Sequence, residues 1–216
     1  MAKADKELVD ILYPPRFEPN GTIKTLRQAW EDEDWTGTFN LWIIQSDPVP
    51  SIVYQVRSPN VNWAPGKLDV SCAGHYNAGE TKFEGLVREA HEELGLADIK
   101  EKELVYLGRR LNVSPSTDGH THKTVIDVYF MQKDLPIKDM VLEAEELYAI
   151  TSLPILELEK VWANKNYSFN AKAYNLKGDE IEVKVQQDKF PYNWDNYHYK
   201  IVKLAKRFLA GEEVFI

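Results

Sequence analysis

The sequence predicts a mixed α/β (α+β) sandwich, because strand-like segments precede and follow one central amphipathic helix and a second such helix lies near the C-terminus. The predicted strands are short, rich in β-branched and aromatic residues, and bounded by Pro, Gly or Asp. Nothing in the sequence marks a linker between autonomous domains. We therefore interpret residues 36–165 as the core, and residues 1–35 and 166–216 as extensions that pack on it.

The first half of the chain contains the central helix and the strands that precede it. The predicted strands are residues 8–13, 38–44, 51–57 and 68–73, and Asn20-Gly21 predicts a turn. Thr81 and Glu84 form a capping-box pattern, so a helix should begin at Lys82. Gly95 stands where a left-handed cap would end that helix at about Leu94.

The second half alternates strands and helices. It predicts strands over residues 103–113, 123–132 and 146–150, a loop over 114–119, a helix over 155–163, a hairpin around 177–179 and a last helix over about 193–210. In that last helix Trp194, Tyr197, Ile201 and Phe208 share one apolar face, which should pack on the core.

Composition narrows the class of protein. The chain has 216 residues and a net charge of −8, which argues against a nucleic-acid polymer as partner but not against a small phosphorylated ligand that binds with a divalent cation. The single cysteine, Cys72, excludes an internal disulfide, and no segment has the apolar length of a signal peptide or a membrane span. We expect a cytoplasmic protein without membrane association.

Three glutamates lie close together in the second half of the central helix. Glu89 stands three residues before Glu92 and four before Glu93, so the three carboxylates are neighbours beside the apolar stripe. Like charges at this spacing, near the negative end of the helix dipole, destabilise a helix by a few tenths of a kcal/mol per pair. A hard cation such as Mg²⁺ or Mn²⁺ would offset the repulsion. Taken alone, the acids are equally compatible with a solvated helix face.

The residues around the acids distinguish these two interpretations. Gly74 is followed after five residues by Glu80, and after seven more by the run Arg-Glu-Ala-His-Glu-Glu-Leu-Gly-Leu at 88–96. This pattern matches every fixed position of the Nudix box, so the chain resembles a Nudix hydrolase. Residues 7–165 more broadly resemble the Nudix subgroup close to isopentenyl-diphosphate isomerase. The resemblance implies a Nudix-type α/β/α sandwich with a mixed sheet.

The resemblance also implies roles for individual residues. Glu89, Glu92, Glu93 and the backbone carbonyl of Ala73 would bind the divalent cation, Mg²⁺ or Mn²⁺. Among the supporting residues, Arg88 and Glu80 would pair within the motif, and Gly74 and Gly95 would serve backbone geometry. The implied reaction is attack of metal-activated water on a phosphorus of a nucleoside diphosphate derivative or another organic diphosphate.

The general base has two candidates. Members of the family place it either in the box helix, where Glu89 is the candidate, or on a later loop or strand. Residues 143–147 resemble the later acidic segment, and Glu146 fits best there as a further ligand or as the base. A solvated glutamate at the start of a strand is the alternative interpretation. A homodimer is also suggested by analogy, because dimers are common in the family.

Two other functions, an isomerase and a non-catalytic binding domain, are alternatives to the hydrolase. An isomerase would need a cysteine at Ala73, but the cysteine is at Cys72, one residue away, and its side chain would point to the opposite face of a strand. No histidine precedes His75, although the isomerase uses histidines near the strand that begins at Thr38. A non-catalytic binding domain would tend to lose the Arg-Glu-Glu signature, which is complete here.

The remaining histidines and two tryptophans have weaker assignments. His75 is a candidate substrate or metal contact, or a polar loop donor, and His91 should be solvated. We interpret His120 and His122 as part of a flexible loop that contacts substrate or a dimer partner. Trp35 and Trp63, both expected in loops, could stack on a nucleotide base.

Overall fold

The computed structural model describes residues 3–115, 119–191 and 195–216. Eleven strands in these ranges form one sheet: β1 Leu8–Tyr13, β2 Glu18–Thr25, β3 Trp35–Gln45, β4 Ser51–Arg57, β5 Leu68–Asp69, β6 Cys72–His75, β7 Leu104–Pro115, β8 Thr121–Gln132, β9 Leu147–Pro154, β10 Phe169–Asn175 and β11 Glu180–Val185. The α-helices are α1 Leu26–Glu31, α2 Lys82–Leu94, α3 Ile155–Ala163 and α4 Tyr197–Leu209. Short 3-10 helices occupy Lys3–Asp5, Glu101–Glu103, Ile137–Asp139 and Gln187–Lys189.

Strand β3 is the centre of the sheet. The main strand order is β11-β10-β9-β4-β3-β1-β2, and β3 also pairs with β6 and β8 along other parts of its length. The β3–β8 pair is parallel and runs from Trp35 beside Lys123 to Ile44 beside Gln132. The other pairs, including β7–β8, are antiparallel. This confirms the predicted mixed sheet.

The two faces of β3 bury different helices, because successive side chains of a strand point to opposite sides. Phe39, Leu41 and Ile43 pack on one side with Leu86, Ala90 and Leu94 of α2. Trp42 and Ile44 pack on the other side with residues of α3 and α4, among them Leu158, Val161 and Ile201. The result is an α/β/α sandwich, as predicted, with α2 on one side of β3 and α3 with α4 on the other.

The sequence predicted both ends of α2 correctly. The Thr81 hydroxyl accepts a hydrogen bond from the Glu84 amide, and the Glu84 carboxylate accepts one from the Thr81 amide, so both halves of the capping box form. Gly95 ends the helix in the left-handed conformation, with φ 69° and ψ 16°. Local hydrogen bonds thus fix where the helix begins and ends. The packing of Leu86, Ala90 and Leu94 on the sheet fixes its rotation, and so the direction of its glutamates.

The N-terminal region contains more structure than the sequence suggested. Asn20-Gly21 lies inside β2, with Gly21 at φ 93°, and is not a turn between elements. Helix α1 follows directly and is capped by the Thr25 hydroxyl. These elements bury Val9, Ile11, Leu26 and Ala29 in a small core of their own. The prediction missed α1 because a six-residue helix is too short for its periodicity to be recognised.

Several element boundaries also differ from the prediction. The predicted strand over 68–73 is divided into β5 and β6, and β7 extends through Ser114 and Pro115, which were expected in a loop. Of that loop, residues 116–118 lie outside the described residues. Glu146 precedes β9 instead of opening it. Helix α4 begins at Tyr197, and Trp194 lies outside the described residues.

Candidate metal and diphosphate site

Of the three glutamates in the second half of helix α2, two point toward the sheet. Glu89 is 1% exposed and Glu93 is 2% exposed, whereas the side chain of Glu92 is 43% exposed. The positions of Glu89 and Glu93 follow from the four-residue spacing, which places them on one face of the helix with Leu86 and Ala90. Two carboxylates so deeply buried on one helix are costly unless positive charge lies close to them.

Arg88 supplies part of that positive charge and links the loop before α2 to β6 and to the glutamates of α2. Its guanidinium donates to both carboxylate oxygens of Glu80, at 2.7 and 3.0 Å, and to the carbonyl of His75 at 3.0 Å. It also donates to Glu89 Oε1 at 2.7 Å and to Glu92 Oε2 at 3.4 Å. Hydrogen bonds to Glu80, and then to Glu89, raise the pKa of Arg88 although burial opposes the charge. Arg88 therefore holds the loop, the strand end and the acidic face of α2 together.

Glu80 is ionised in this arrangement. Burial raises the pKa of Glu80, but hydrogen bonds from Arg88 and from the Asn77 amide outweigh burial, so the pKa lies below its ordinary value. The Asn77 amide donates to Glu80 Oε2 at 2.8 Å. Glu80 is thus a structural anion that orients Arg88, and its carboxylate has little capacity left for another ligand.

The backbone of β6 lies directly under the glutamates. A Cβ atom added at Gly74 would lie 2.4 Å from both Cγ and Cδ of Glu89, so only glycine allows the side chain of Glu89 to approach the strand this closely. One residue earlier, the Ala73 amide donates to Glu93 Oε2 at 3.4 Å. Ala73 and Gly74 therefore form the floor of the acidic site.

Glu93 and Glu146 are electrostatically coupled. Burial raises the pKa of Glu93 well above its ordinary value, and the negative charges of Glu146 and Glu89 raise it further. The segment before β9 is held against the end of α2, where the Glu143 amide donates to the Glu93 carbonyl at 3.1 Å and the Val141 amide to the Leu94 carbonyl at 3.3 Å. The fold thus brings the late acidic segment, separated by some fifty residues of sequence, to the box helix.

A cleft opens beside these groups. Its lining is predominantly charged and comprises Lys6, Glu7, Asn77, Arg88, Glu92, Glu143 and Glu145. A second groove is lined by residues of the β3–β4 turn and of the segment after β8, such as Asp47, Val49 and Asp134, and it contains no residue of the box. The charged groups beside the acidic face of α2 therefore converge on the first cleft and not on the second groove.

The donor atoms suit a hard divalent cation. Glu89, Glu92, Glu93 and Glu146 offer carboxylate oxygens, the ligands that Mg²⁺ and Mn²⁺ prefer, and a cation would relieve the repulsion that raises the pKa of Glu93. In the described residues no three His, Cys, Asp or Glu side chains already stand in a metal-binding arrangement. Arg88 contacts one oxygen of Glu89 and one of Glu92.

The cysteine and the histidines that the sequence singled out lie outside this set of donor atoms. Cys72 is fully buried in the core beneath α2, and burial together with the charge of Glu93 raises its thiol pKa, so it is not an activated nucleophile. His91 is exposed, as predicted. His75 lies in β6, with its ring edge-on to Trp30 at 6.2 Å. His122 lies in β8 and stacks on Trp30 at 4.7 Å, so the prediction of a loop was wrong for this residue.

The two candidate stacking tryptophans differ from each other. Trp35 lies in β3, not in a loop, and packs edge-on against Phe17 at 4.9 Å. Trp63 is in a loop and 51% exposed, with Arg57 over its ring at 5.1 Å. Neither residue lines the charged cleft.

Asp127 on β8, which was not among the predicted site residues, is only 2% exposed. Its carboxylate accepts hydrogen bonds from Tyr106 at 3.0 Å and Tyr76 at 3.5 Å, and it pairs with Lys82 at 2.7 Å and Arg109 at 3.4 Å. Lys82 is the first residue of α2 and Tyr76 belongs to the loop before it. A lone aspartate in an apolar strand was the available signal, because a buried carboxylate requires partners.

Comparison with known proteins identifies the family. The family model for the NUDIX domain matches residues 38–175 of the sequence, which is more than half of the chain. The chain therefore belongs to the Nudix family. The protein is accordingly a hydrolase that acts on diphosphate bonds, and Nudix hydrolases generally use divalent metal ions.

Relatives agree with this assignment. The chain is 28% identical over 191 residues to an uncharacterised Nudix hydrolase of Clostridium acetobutylicum, covering 84% of this chain and 89% of that protein. It is 27% identical over 168 residues to Nudix hydrolase 3 of Arabidopsis thaliana, covering 75% of this chain but only 21% of the plant protein. These relatives do not confirm the predicted subgroup close to isopentenyl-diphosphate isomerase.

Solved structures share the fold. A crystal structure from Deinococcus radiodurans has a TM-score of 0.53 and 24% identity, and the match covers 73% of this chain and 90% of that one. A MutT/nudix family protein from Enterococcus faecalis has a TM-score of 0.50 and 12% identity, covering 80% and 62% respectively. Separately, no helix in the described residues is long and apolar enough to cross a membrane.

Proposed function

We propose that this protein hydrolyses the phosphoric anhydride of a nucleoside diphosphate derivative or another organic diphosphate, with Mg²⁺ or Mn²⁺ bound at the acidic face of α2. The observation that carries the proposal is the burial of Glu89 and Glu93 side by side on that face, at the edge of a charged cleft. When bound, the cation would lower the pKa of a water ligand and neutralise charge on the phosphate oxygens.

The cation ligands in this proposal are Glu89, Glu92, Glu93 and the carbonyl of Ala73. Support comes from the close approach of Glu89 to Gly74 and from the contact between the Ala73 amide and Glu93, which bring β6 and α2 together. Arg88 holds Glu89 and Glu92 through charge-assisted hydrogen bonds, and Glu80 holds Arg88. Gly95 ends the helix just beyond the last ligand.

Glu146 is proposed as a further ligand or as the general base. Its charge contributes, after burial, to the raised pKa of Glu93. It is half-buried in the segment that hydrogen-bonds to the end of α2. A carboxylate in this position can accept a proton from an attacking water, or it can complete the ligand set. Glu89 remains the other candidate base.

The isomerase alternative has no support in the structure. Cys72 lies in the core on the α2 side of the sheet and is fully buried, and Ala73 occupies the position where the isomerase needs its cysteine. A non-catalytic binding domain also lacks support. Such a domain would tend to lose the Arg-Glu-Glu signature, whereas both the Arg88–Glu80 and the Arg88–Glu89 ion pairs are formed here.

The proposal is tested by phosphate release from a panel of nucleoside and other organic diphosphates with Mg²⁺ or Mn²⁺, using the wild type, Glu93→Gln and Glu146→Gln. We expect Glu93→Gln to lower kcat by about 100-fold or more, because a buried ligand loses its charge. Glu146→Gln should lower kcat and alter its pH profile if Glu146 is the base.

Glu101→Gln is the matched control, since it makes the same change at an exposed residue of a 3-10 helix that lies outside the box and does not line the cleft. Equal rates for the wild type and Glu93→Gln would show that the metal site is misplaced. Tight binding of a diphosphate by the wild type without release of phosphate from any member of the panel would favour the binding domain.

A further inference from the structure

The N-terminal segment is built into the loop of the box. The carbonyl of Leu8 in β1 accepts a hydrogen bond from the Ala78 amide at 2.8 Å. The Asp10 carboxylate accepts one from the Gly79 amide at 2.9 Å. The loop held in this way leads directly into Glu80, which anchors Arg88. A segment that lies outside residues 38–175 therefore supports the geometry of the box.

The residues just before β1 are held by contacts with α1. The carbonyl of Glu7 accepts a hydrogen bond from the Leu26 amide at 2.8 Å, and Asp5 forms an ion pair with Arg27 of α1. Lys6 lies between these two anchors. The residues on either side of Lys6 are therefore tied to α1, Glu7 through its backbone and Asp5 through its side chain, whereas the side chain of Lys6 is exposed.

Lys6 is one of two basic residues among those that line the charged cleft. The other, Arg88, is taken up by Glu80, Glu89 and the His75 carbonyl. Within the described part of the chain, no ion pair or hydrogen bond is formed by the Lys6 side chain. The lining also includes Glu7, Glu92, Glu143 and Glu145. An anionic ligand entering this cleft would meet mostly negative charge.

We propose that Lys6 is a substrate-binding residue whose ammonium contacts the diphosphate group of the substrate; this rests on the hydrolase function proposed above. Lysine is suited to this task, because its compact charge on a flexible stem can follow a phosphate oxygen without a fixed geometry. A bound cation neutralises only part of a diphosphate. Lys6 supplies further positive charge from the wall of the cleft, and its tethered backbone keeps that charge near the site.

The experiment uses two measurements on the full-length protein. Methylenebisphosphonate, a diphosphate that cannot be hydrolysed, is titrated calorimetrically in the presence of Mg²⁺, and KM and kcat are measured with the best substrate of the panel. We expect Lys6→Gln to raise both the Kd and KM by about tenfold, which corresponds to the loss of one charge-assisted hydrogen bond, while kcat stays within about twofold. Lys6→Arg should restore most of the binding.

Lys102→Gln is the matched control, because it removes one positive charge from another exposed lysine that does not line the cleft. If Lys6→Gln behaves like Lys102→Gln while the wild type binds and hydrolyses, the inference about Lys6 is wrong and the proposed hydrolase function stands. If the wild type neither binds the bisphosphonate nor releases phosphate from any diphosphate, the proposed function fails and the inference with it.

Discussion

Glu89 and Glu93 are charged side chains placed where apolar ones normally lie. Each is almost completely buried, and they share their helix face with Leu86, Ala90 and Leu94. A buried carboxylate with a like-charged neighbour loses free energy of solvation and gains repulsion, as the raised pKa of Glu93 records. A bound cation would offset both costs. At the residue scale, the proposed site is thus unfavourable alone and would be favourable with a cation.

Gly74→Ala tests whether the close approach of Glu89 to β6 matters for the reaction. The new Cβ would lie 2.4 Å from two carbons of Glu89, so the carboxylate must move away from β6. We expect kcat/KM to fall by about tenfold or more, because displacement of a reacting group by about 1 Å has a large effect on rate. The measurement is steady-state kinetics together with thermal unfolding.

Gly37→Ala on β3 serves as the comparison, since it makes the same change with a milder contact, 3.2 Å to Tyr76. It should retain more activity than Gly74→Ala. If Gly74→Ala keeps wild-type kcat/KM, then the close approach of Glu89 to the strand has no part in the reaction.

At the scale of elements, α2 is attached to the sheet through its first turn as well as its apolar face. Asp127 of β8 holds Lys82 at the start of the helix and Tyr76 in the preceding loop. The same carboxylate binds Tyr106 and Arg109 of β7. Burial, and then the charge of Asp127, raise the pKa of Tyr76, so its phenol stays protonated and can donate. One buried anion therefore connects β7, β8, the loop and α2.

Asp127→Asn tests this connection. The amide keeps the shape of the side chain but loses the charge that four donors share, so we expect the free energy of unfolding to fall by about 1–2 kcal/mol. We also expect kcat/KM to fall by about tenfold, because the loop and the first turn of α2 lose their common anchor. Urea unfolding and steady-state kinetics measure the two effects.

Asp134→Asn is a suitable control. Asp134 also accepts several hydrogen bonds, from the Ser46 amide and hydroxyl and the Asp47 amide, but it does so at the turn after β3, which contains no residue of the box. It should lower stability without lowering kcat/KM. Equal kinetic effects of the two substitutions would mean that Asp127 acts through stability alone.

At the scale of the whole molecule, the proposed cation site would link folding to function, because its residues come from separate parts of the chain. A ligand that binds only the folded state stabilises it by mass action. The acidic site is assembled from β6, α2 and the segment before β9, which meet only in the folded chain. The predicted homodimer, the cytoplasmic location and the absence of a nucleic-acid partner stay predictions.

Thermal unfolding with and without metal tests this link. At a Mg²⁺ or Mn²⁺ concentration tenfold above its Kd, we expect about 1.4 kcal/mol of stabilisation and a rise in Tm of about 3–5 °C, reversed by EDTA. Glu93→Gln should lose most of the rise, whereas Glu101→Gln should keep it. An equal rise in all three proteins would indicate cation binding elsewhere.

The sequence by itself determined the box helix, because its limits depend on local interactions. Thr81, Glu84 and Gly95 act within a few residues of themselves, and the spacing of Glu89 and Glu93 places both on one face of any helix. The strands of the core were found for the same reason, since their alternation is local. The family followed from the register of Gly74, Glu80 and the glutamates.

Only the tertiary structure decided what surrounds that helix. Docking of β1 on the loop, the position of Lys6 at the cleft, and the approach of Glu146 to Glu93 all join residues far apart in sequence. The anchor at Asp127 depends on a parallel pairing of β3 and β8 that no local pattern encodes. Local periodicity determines which residues share a face, whereas packing across the sheet determines which faces meet, and the chemistry of this site depends on both.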